Sequence, residues 1–347
     1  MLGAGAGAKG EGMGMGAKGS ASRHTEPMRG TLMVSEGIEA EWGTAMDTAA
    51  PDLRRVVSFP GAPEPDYSKI EVLYFSGDVF PERSREFAVA ALKADNLRWM
   101  HTFSAGVDDS FFETLVQRGV RLTTSSGAQA VPIAQTAILY LLALSRDLPG
   151  WLENQRDRRW NPRSIRDLQG LHLGVVGLGP IGEAVARLGL ALGMRVTGLR
   201  RSPTGDEPCE TRSMEELAGL LPEVDALVLA VPLTEATRNL MDAGAFALLK
   251  PGALFVNVAR GEVVDEDALV ESLREGRLAG AGLDVFREEP LPEVSPLWAM
   301  SNVLITPHSS GTSPGNQIRA SEIFIENLRG YIRGDALRNE VGPGGIR

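Results

Sequence analysis

Three segments in the second half of the chain carry the residue types that reduction of a keto acid requires. Arg260, the acidic pair Asp284 and Glu289, and His308 each lie at or just after the end of an apolar run, in that order. Such a reaction needs a cation for the substrate carboxylate and a proton donor facing the carbonyl oxygen. Ligands of open parallel sheets bind at the carboxyl ends of the strands, so these side chains are expected to meet there.

The simpler explanation of each residue is structural, because a charged residue after a strand is more often a salt-bridged loop residue. Arginine, acid and histidine at three successive strand ends favour a catalytic site instead. The other histidines are expected to be structural or exposed: His24 lies in the N-terminal tail, His101 lies within a predicted strand and His172 begins one.

A glycine-rich turn directly follows the predicted strand Leu173–Val176. Its residues Gly177, Gly179 and Gly182 have the G-x-G-x-x-G spacing. The first glycine permits the tight turn, the second lets the backbone approach a pyrophosphate, and the third allows the next helix to pack closely on the strand. The start of that helix offers unpaired N–H groups to phosphates. The sequence therefore predicts a dinucleotide-binding loop.

The residues at the end of the second strand of this unit indicate which dinucleotide is bound. An acidic residue there would accept hydrogen bonds from the ribose 2′-OH of NAD, but the chain has Arg200, Arg201 and Ser202. Two guanidinium groups can bind a 2′-phosphate, so NADP(H) is the preferred cofactor and NAD(H) is possible. The alternative is that both arginines are merely exposed. Asp206 and Glu207 follow, outside the expected acidic position.

The first part of the chain must form a parallel sheet with helices on both faces, because short apolar runs alternate with helical patterns. Strands are predicted at Thr31–Val34, Leu53–Phe59, Ile70–Phe75, Leu97–Phe103 and Val120–Thr124. Helices are predicted at Ser84–Ala94, Phe111–Arg118 and Pro132–Arg146. The last of these is apolar almost all round, which predicts burial between domains or subunits.

A second alternating series has the pattern of a doubly wound sheet. The Pro-Gly pair at residues 149 and 150 is predicted to break the chain first, and the arginine-rich segment Trp151–Arg163 is predicted to be a solvated helix or an arm across a partner subunit. The final helix, Ser313–Arg333, is long enough to return to the first domain. The strands of this series are predicted at Leu173–Val176, Arg195–Leu199, Ala226–Ala230, Leu254–Val258, Gly280–Val285 and Val303–Ile305.

Five motifs between about residues 95 and 333 resemble those of the D-isomer-specific 2-hydroxyacid dehydrogenases, in order and at family spacing. They are Gly177–Gly182, Val231–Thr237, Asn257–Asp265, Gly282–Pro292 and Thr306–His308. The resemblance implies a catalytic trio. In it, Arg260 binds the substrate carboxylate and polarises the keto oxygen, His308 is the acid/base, and Glu289 orients the imidazole and favours its protonated form.

The resemblance also implies the remaining site residues. Asp284 becomes a partner of the nicotinamide carboxamide, and Val231 and Pro232 line the adenine side. Ser104–Asp108 matches the loop that binds the substrate carboxylate through backbone amides, which assigns Ala105 and Gly106 to substrate binding. The other cofactor-site residues implied by the motifs are Leu178, Pro180, Ile181, Thr237, Val258 and Ala259, with Arg260 and His308 also facing the cofactor.

The fold implied is α/β, with a Rossmann dinucleotide-binding domain inserted into a flavodoxin-like substrate domain. Residues 31–148 plus 312–341 are expected to form the substrate domain and residues 149–311 the Rossmann domain. Residues 1–30 are expected to be a disordered Gly/Ala-rich tail, because they contain no block of Leu, Ile or Val and cannot bury enough apolar surface.

Composition limits the classes of partner. The 347 residues carry a net charge of −10, which excludes nucleic acid as the main partner, since such binding needs clustered basic residues. The single cysteine excludes a disulfide framework and a cysteine-based zinc site, and the apolar run Thr136–Leu144 is too short to span a membrane. We therefore expect a cytoplasmic homodimer that binds a small 2-oxo acid such as glyoxylate or hydroxypyruvate.

Two alternatives stay open. One is a non-catalytic nucleotide-sensing protein on the same scaffold. The other is a formate or phosphite type of dehydrogenase. The formate type is disfavoured because those enzymes resemble this chain but carry glutamine where Glu289 stands, since formate oxidation transfers no proton.

Overall fold

The computed structural model describes residues 30–107, 109–342 and 345–346, and within them the strands form two parallel sheets and one short antiparallel hairpin. The first sheet has the order β2-β1-β3-β4-β5. Its strands are β1 (Thr31–Ser35), β2 (Arg54–Ser58), β3 (Ile70–Phe75), β4 (Trp99–Thr102) and β5 (Arg121–Thr124). Its helices are α1 (Glu36–Ala49), α2 (Ser84–Lys93) and α3 (Ser110–Gln117).

The second sheet has the order β12-β11-β10-β9-β6-β7-β8. Its strands are β6 (His172–Val176), β7 (Arg195–Arg200), β8 (Glu210–Ser213), β9 (Ala226–Leu229), β10 (Ala253–Asn257), β11 (Leu278–Leu283) and β12 (Val303–Ile305). The helices from here on are α4 (Ala130–Ser145), α5 (Leu148–Arg156), α6 (Pro180–Ala191), α7 (Leu217–Leu220), α8 (Ala243–Leu248), α9 (Glu266–Arg274) and α10 (Pro314–Arg333). The terminal hairpin pairs β13 (Val341–Gly342) with β14 (Gly345–Ile346).

The central strands are buried along their whole length, as expected for parallel strands covered on both faces. All residues of β3, β6, β9 and β10 are buried. The α/β fold class is confirmed, and every predicted strand is present to within a few residues of its predicted bounds. The continuous apolar runs were sufficient to locate these strands.

Helix α1, strand β8 and the terminal hairpin strands β13 and β14 were not predicted. Helix α1 begins after Ser35, whose hydroxyl accepts a hydrogen bond from the amide of Ile38 at 3.1 Å. Its apolar stripe is thin, with two glycines in 14 residues, so the helical period is weak in the sequence. Strand β8 lies at the edge of its sheet and has no buried residue, so it has no apolar run.

Helix α10 returns to the first sheet, as predicted. Its Phe324 stacks on Tyr74 with ring centroids 4.3 Å apart and also stacks on Trp99 at 5.6 Å. The Tyr74 hydroxyl lies 3.2 Å from the hydroxyl of Ser321 on the same helix. These buried contacts attach the end of the chain to its first strands, so the second sheet is inserted between two parts of one packed unit.

Helix α4 packs on the second sheet, although the boundary predicted at residue 148 assigns it to the first domain. Ile133, Ala137 and Leu141 are buried together with the strand residues Val175 and Val256. The division at residues 148 and 149 stays a prediction, and this packing favours a boundary near the start of α4.

The prediction that Pro149 and Gly150 break the chain was wrong, because both lie inside α5. The interruption comes earlier, at Asp147, which has a left-handed φ of 51° and whose carboxylate accepts a hydrogen bond from the amide of Gly150. Proline is tolerated in the first turn of a helix, where its missing N–H has no helical partner.

No single helix among the described residues is long and apolar enough to cross a membrane. Helices α4 and α5 pass such a test only as a pair bent by 63°. The predicted tail, residues 1–30, lies outside the described residues except for Gly30.

Candidate active site

Three neighbouring strands bring the predicted catalytic segments to one edge of the second sheet. Asn257 pairs with Leu283, and Leu283 pairs with Ile305, so β10, β11 and β12 end side by side. The amide of Asp284 donates to the Asn257 carbonyl at 3.1 Å, and the amide of Thr306 donates to the Leu283 carbonyl at 3.0 Å. The segments that follow these strands therefore leave the sheet at the same place.

His308 and Glu289 form a hydrogen-bonded pair at this edge. The His308 Nδ1 atom lies 2.7 Å from Glu289 Oε2, and the other carboxylate oxygen, Oε1, accepts the amide of Phe286 at 3.0 Å. The imidazole is about half exposed, with 48% of its side-chain surface accessible. With Nδ1 on the carboxylate, the Nε2 atom is the one available to a substrate.

The backbone of His308 has a left-handed conformation, with φ of 50°, which is uncommon for a residue with a side chain. Its amide donates to the Asp284 carbonyl at 2.8 Å. Residues around it must stabilise this conformation, since it costs on the order of 1–3 kcal/mol.

The buried Asp284 carboxylate supplies that stabilisation. It accepts the amides of Ser309 and Ser310 at 3.0 and 3.1 Å and the hydroxyls of Ser310 and Thr306. The side chain is 2% exposed. Asp284 therefore fixes the loop that carries His308. This role was not predicted from the sequence. The signal for it was the polar segment after β12, residues 306 and 308–310.

Arg260 is positioned by its own strand and by the segment carrying Glu289. The Asn257 side chain accepts the Ala259 amide and donates to the Arg260 carbonyl, both at 3.0 Å. A Cβ at Gly261 would lie 1.9 Å from the carbonyl carbon of Phe286, so only glycine permits this approach. Because the Phe286 amide also holds Glu289, the arginine and the acid belong to one packed unit.

The predicted substrate loop follows β4 in the first sheet. The Ser104 hydroxyl donates to the Gly106 carbonyl at 2.9 Å, and the Ser104 carbonyl accepts the Ser125 amide at 3.0 Å. Ala105 and Gly106 are partly exposed on this tightened turn, and Asp108 lies outside the described residues. The loop has the small side chains that an anion needs to reach backbone amides.

The glycine turn fits a dinucleotide pyrophosphate. Gly177 has φ of 97°, and a Cβ at Gly182 would lie 1.9 Å from the Gly177 carbonyl oxygen, so these two glycines are required by the protein itself. A Cβ at Gly179 would meet nothing within 4 Å. The packing of the protein itself therefore does not require glycine at position 179. A glycine there is expected if a ligand approaches its backbone at the start of α6.

The other predicted cofactor residues surround this turn or lie along the same edge. Val231 is buried against Gly177, and the Thr237 hydroxyl donates to the Pro232 carbonyl at 2.7 Å, which closes the loop after β9. Val258 and Ala259 are each 5% exposed and continue β10 towards Arg260. Leu178, at 1% exposure, packs into the core beneath the turn, whereas Pro180 and Ile181 begin α6.

Arg200, at the end of β7, is bound by two carboxylates of the chain. Its Nη1 atom lies 3.4 Å from Glu183 Oε1 and 3.5 Å from Glu207 Oε1. Arg201 and Ser202 are exposed. Glu207 was expected to lie outside the cofactor position, but the loop after β7 folds it back onto Arg200.

Two of the remaining histidines are internal. His101 is fully buried between Thr123 and Ser125, and burial lowers the pKa of His101 to about 3. His172 bonds Thr197 at 2.9 Å, and burial lowers its pKa as well. Both are therefore neutral near pH 7, and His24 lies outside the described residues.

The two sheets meet beside the glycine turn. A Cβ at Gly127, in the loop after β5, would lie 3.8 Å from Pro180 at the start of α6. A Cβ at Gly311, just after the His308 loop, would lie 3.0 Å from Gln129 Oε1 in the same region. The arrangement therefore combines a phosphate-binding turn, an arginine, and a histidine paired with a carboxylate, which is what hydride transfer to a keto acid requires.

Comparison with known proteins identifies relatives of this arrangement. The family model for the D-isomer specific 2-hydroxyacid dehydrogenase, NAD binding domain, matches residues 138–310. A glyoxylate reductase of Pyrococcus horikoshii is 35% identical over 254 residues, which are 70% of this chain and 75% of that protein. A D-3-phosphoglycerate dehydrogenase of Methanocaldococcus jannaschii is 32% identical over 253 residues, 72% of this chain, and this chain spans 48% of its length.

A solved structure extends the likeness to the first sheet. The D-isomer specific 2-hydroxyacid dehydrogenase from Xanthobacter autotrophicus Py2, in complex with NADPH and MES, is 34% identical with a TM-score of 0.74. The match covers 90% of this chain and 98% of that structure.

Proposed function

The chain belongs to the D-isomer-specific 2-hydroxyacid dehydrogenase family, and we propose that it reduces a small 2-oxo acid, such as glyoxylate or hydroxypyruvate, with NADPH as the preferred donor. Its family makes it an NAD(P)-dependent dehydrogenase. The observation that carries the proposal is the His308–Glu289 pair, 2.7 Å apart, at the same sheet edge as Arg260.

Each residue of the site has a separate role in this reaction. Arg260 holds the substrate carboxylate and polarises the keto oxygen, and the amides of Ala105 and Gly106 bind the same carboxylate from the first sheet. The dinucleotide, when bound, supplies the hydride to the carbonyl carbon. His308 donates the proton to the carbonyl oxygen, so the 2-oxo acid becomes a 2-hydroxy acid. Glu289 holds the imidazole by Nδ1 and leaves Nε2 facing the substrate.

The preference for NADPH over NADH is supported by the charges after β7. Arg201 and the hydroxyl of Ser202 are exposed at the strand end where the adenosine ribose binds in such sheets. The relative from Xanthobacter autotrophicus was solved with NADPH. The carboxylates of Glu183 and Glu207 weaken the attraction of Arg200 for a 2′-phosphate. We therefore expect a preference for NADPH of at least about tenfold in kcat/KM, which is less than two unopposed arginine–phosphate contacts would give.

We also propose a cytoplasmic homodimer. The large apolar side chains Leu139, Trp151 and Trp160 are 56, 41 and 95% exposed on α4, α5 and the segment that follows. Trp151 and Trp160 line the same pocket, and exposed apolar and aromatic side chains are typical of protein interfaces. The cytoplasmic location rests on the single cysteine and the acidic composition.

Steady-state turnover of glyoxylate and hydroxypyruvate with NADPH and NADH tests the function directly. A binding protein on this scaffold would bind the dinucleotide and give no turnover, and a formate-type enzyme would oxidise formate instead. Lack of turnover of every 2-oxo acid in a panel of small substrates would falsify the proposal.

Two glycine variants test the cofactor site. Gly179→Ala should keep the wild-type melting temperature, because its Cβ meets no protein atom, but should weaken dinucleotide binding at least about tenfold. Gly182→Ala should lower both the melting temperature and the affinity for the dinucleotide, because its Cβ would clash with the Gly177 carbonyl oxygen. Fluorescence titration and thermal melting measure the two effects. Normal dinucleotide affinity in Gly179→Ala would exclude this turn as the pyrophosphate site.

A further inference from the structure

The loop between β7 and β8 closes on the carboxylate of one of its own residues. Glu207 Oε1 accepts the amide of Thr204 at 2.6 Å and its hydroxyl at 3.0 Å, and Oε2 accepts the amide of Gly205 at 2.8 Å. Gly205 has φ of 89°, so the two successive amides point to one side. Consecutive amides in such a turn form a concave site for an anion.

Arg200 completes this site on its sheet side. Its Nη1 atom lies 3.5 Å from Glu207 Oε1, and the Glu207 side chain is only 3% exposed. We use the name anion cradle for four groups that surround the Glu207 carboxylate. They are the Thr204 amide, the Thr204 hydroxyl, the Gly205 amide and the Arg200 guanidinium. The Thr204 and Gly205 amides lower the pKa of Glu207 to about 2, so its carboxylate is charged at any pH above about 4.

The cradle lies at the position that distinguishes the two dinucleotides. The end of the second Rossmann strand faces the adenosine ribose, and β7 ends at Arg200. A 2′-phosphate approaching Arg200 meets the carboxylates of Glu207 and Glu183 at the same guanidinium. The ribose 2′-hydroxyl of NAD is uncharged and is not repelled.

We infer that Glu207 is a specificity-determining residue: its carboxylate occupies the anion cradle and moderates the preference for NADPH that Arg200 and Arg201 create. The inference rests on the proposed dinucleotide site. On this inference, an arginine at the strand end is not by itself sufficient for strict NADPH use, because the same loop supplies a competing anion.

Glu207→Gln removes the charge and keeps the size of the side chain. Its one carbonyl oxygen can still accept the Thr204 amide, whereas its NH2 group cannot accept the Gly205 amide. In isothermal titrations of the purified protein, the Kd values for NADPH and for 2′,5′-ADP should fall about three- to tenfold, the size expected for removing one negative charge that repels the 2′-phosphate in a water-screened site. The Kd values for NADH and 5′-AMP should change less than about twofold, because neither ligand carries the 2′-phosphate. Each variant is compared by thermal melting.

Two control variants separate this charge from its neighbours. Glu210→Gln removes the same charge from β8, where Glu210 pairs with Arg212 at 2.9 Å, and should leave the ratio of the NADPH and NADH Kd values unchanged. Glu207→Asp keeps the charge in the loop and should also leave that ratio within about twofold of wild type.

Three results would overturn the inference. The ratio of the NADPH and NADH Kd values could stay unchanged in Glu207→Gln, or it could change equally in Glu210→Gln. The third is weaker NADH binding in Glu207→Gln, which would mean that Glu207 binds the ribose hydroxyl. A wild-type protein that binds neither dinucleotide would refute the proposed function itself. If the wild-type protein binds both NADPH and NADH, and Glu207→Gln leaves the ratio of their Kd values unchanged, only the role of Glu207 is refuted.

Discussion

Two carboxylates near opposite ends of the second sheet are both held by backbone amides but have different partners. Glu289 accepts one backbone amide and bonds His308, whereas Glu207 accepts two backbone amides and lies beside Arg200. An imidazole can act as a general acid or base, whereas a guanidinium does not release its proton. The first pair can therefore transfer a proton, and the second can only set an electrostatic potential.

The comparison shows that the partner, and not the carboxylate, determines the chemistry. Backbone amides fix both acids in place, so in each case the acid is the rigid member of the pair. Exposure differs in the same sense: the His308 side chain is 48% accessible and can reach a substrate, whereas the Glu207 side chain is 3% accessible and acts through Arg200.

Removing the titratable partner should have the largest effect. His308→Ala should lower kcat about 10²- to 10⁴-fold, the usual contribution of an acid/base group. The Kd for NADPH should change much less than kcat, because the role proposed for the imidazole is proton donation to the substrate carbonyl oxygen. Stopped-flow and steady-state assays of glyoxylate reduction measure the first quantity, and fluorescence titration measures the second. A variant that retains near-normal kcat would show that His308 is not the proton donor.

Removing the permanent charges at the other end should have a smaller effect, confined to one cofactor. With both Arg200 and Arg201 replaced by alanine, kcat/KM should fall at least about tenfold with NADPH and much less with NADH. Salt should also erode the wild-type preference, since 0.15 M salt screens exposed charges over about 8 Å. Equal losses with both cofactors would place these arginines away from the 2′-phosphate.

Weakening the first pair without removing the histidine should have the smallest effect. Reduction requires a protonated imidazole, which the carboxylate 2.7 Å away stabilises by its charge. In Glu289→Gln, the pH above which the reduction rate falls should therefore move lower. In the oxidation of a 2-hydroxy acid, which requires the neutral imidazole, the acidic limb should move lower as well. The two pH–rate profiles, measured with saturating NADPH or NADP, would agree with wild type if Glu289 did not act on His308.

Much of the fold could be predicted from periodicity. Strands buried on both faces, such as Leu173–Val176 and Ala226–Leu229, are continuous apolar runs, and they were located to within one residue. Helix α1 and strand β8 were missed because their sequences lack that contrast: α1 has two glycines and β8 has no buried residue. The kink at Asp147 was placed at the following Pro149-Gly150, because proline was interpreted as a breaker rather than as a first-turn residue.

The meeting of the predicted catalytic segments at one sheet edge could also be predicted, because of strand polarity. Parallel strands all point the same way, so residues that follow successive strands must leave the same edge, and Arg260, Asp284 and His308 do so. The roles of Thr306 and Ser310 could not be predicted, because they depend on which donors reach the buried Asp284 carboxylate.

The sequence by itself determined the strand order along the chain, the glycine turn and the identity of the residues at each strand end. These follow from local composition and from the polarity of parallel strands. Only the tertiary structure decided that α4 packs on the second sheet and that Glu207 returns to Arg200. An apolar helix fits either sheet, so its partner depends on shape complementarity between distant residues such as Tyr140 and Gly282. The path of the loop to Glu207 depends on the amides of Thr204 and Gly205, whose directions are set by backbone angles that no pattern of side chains encodes.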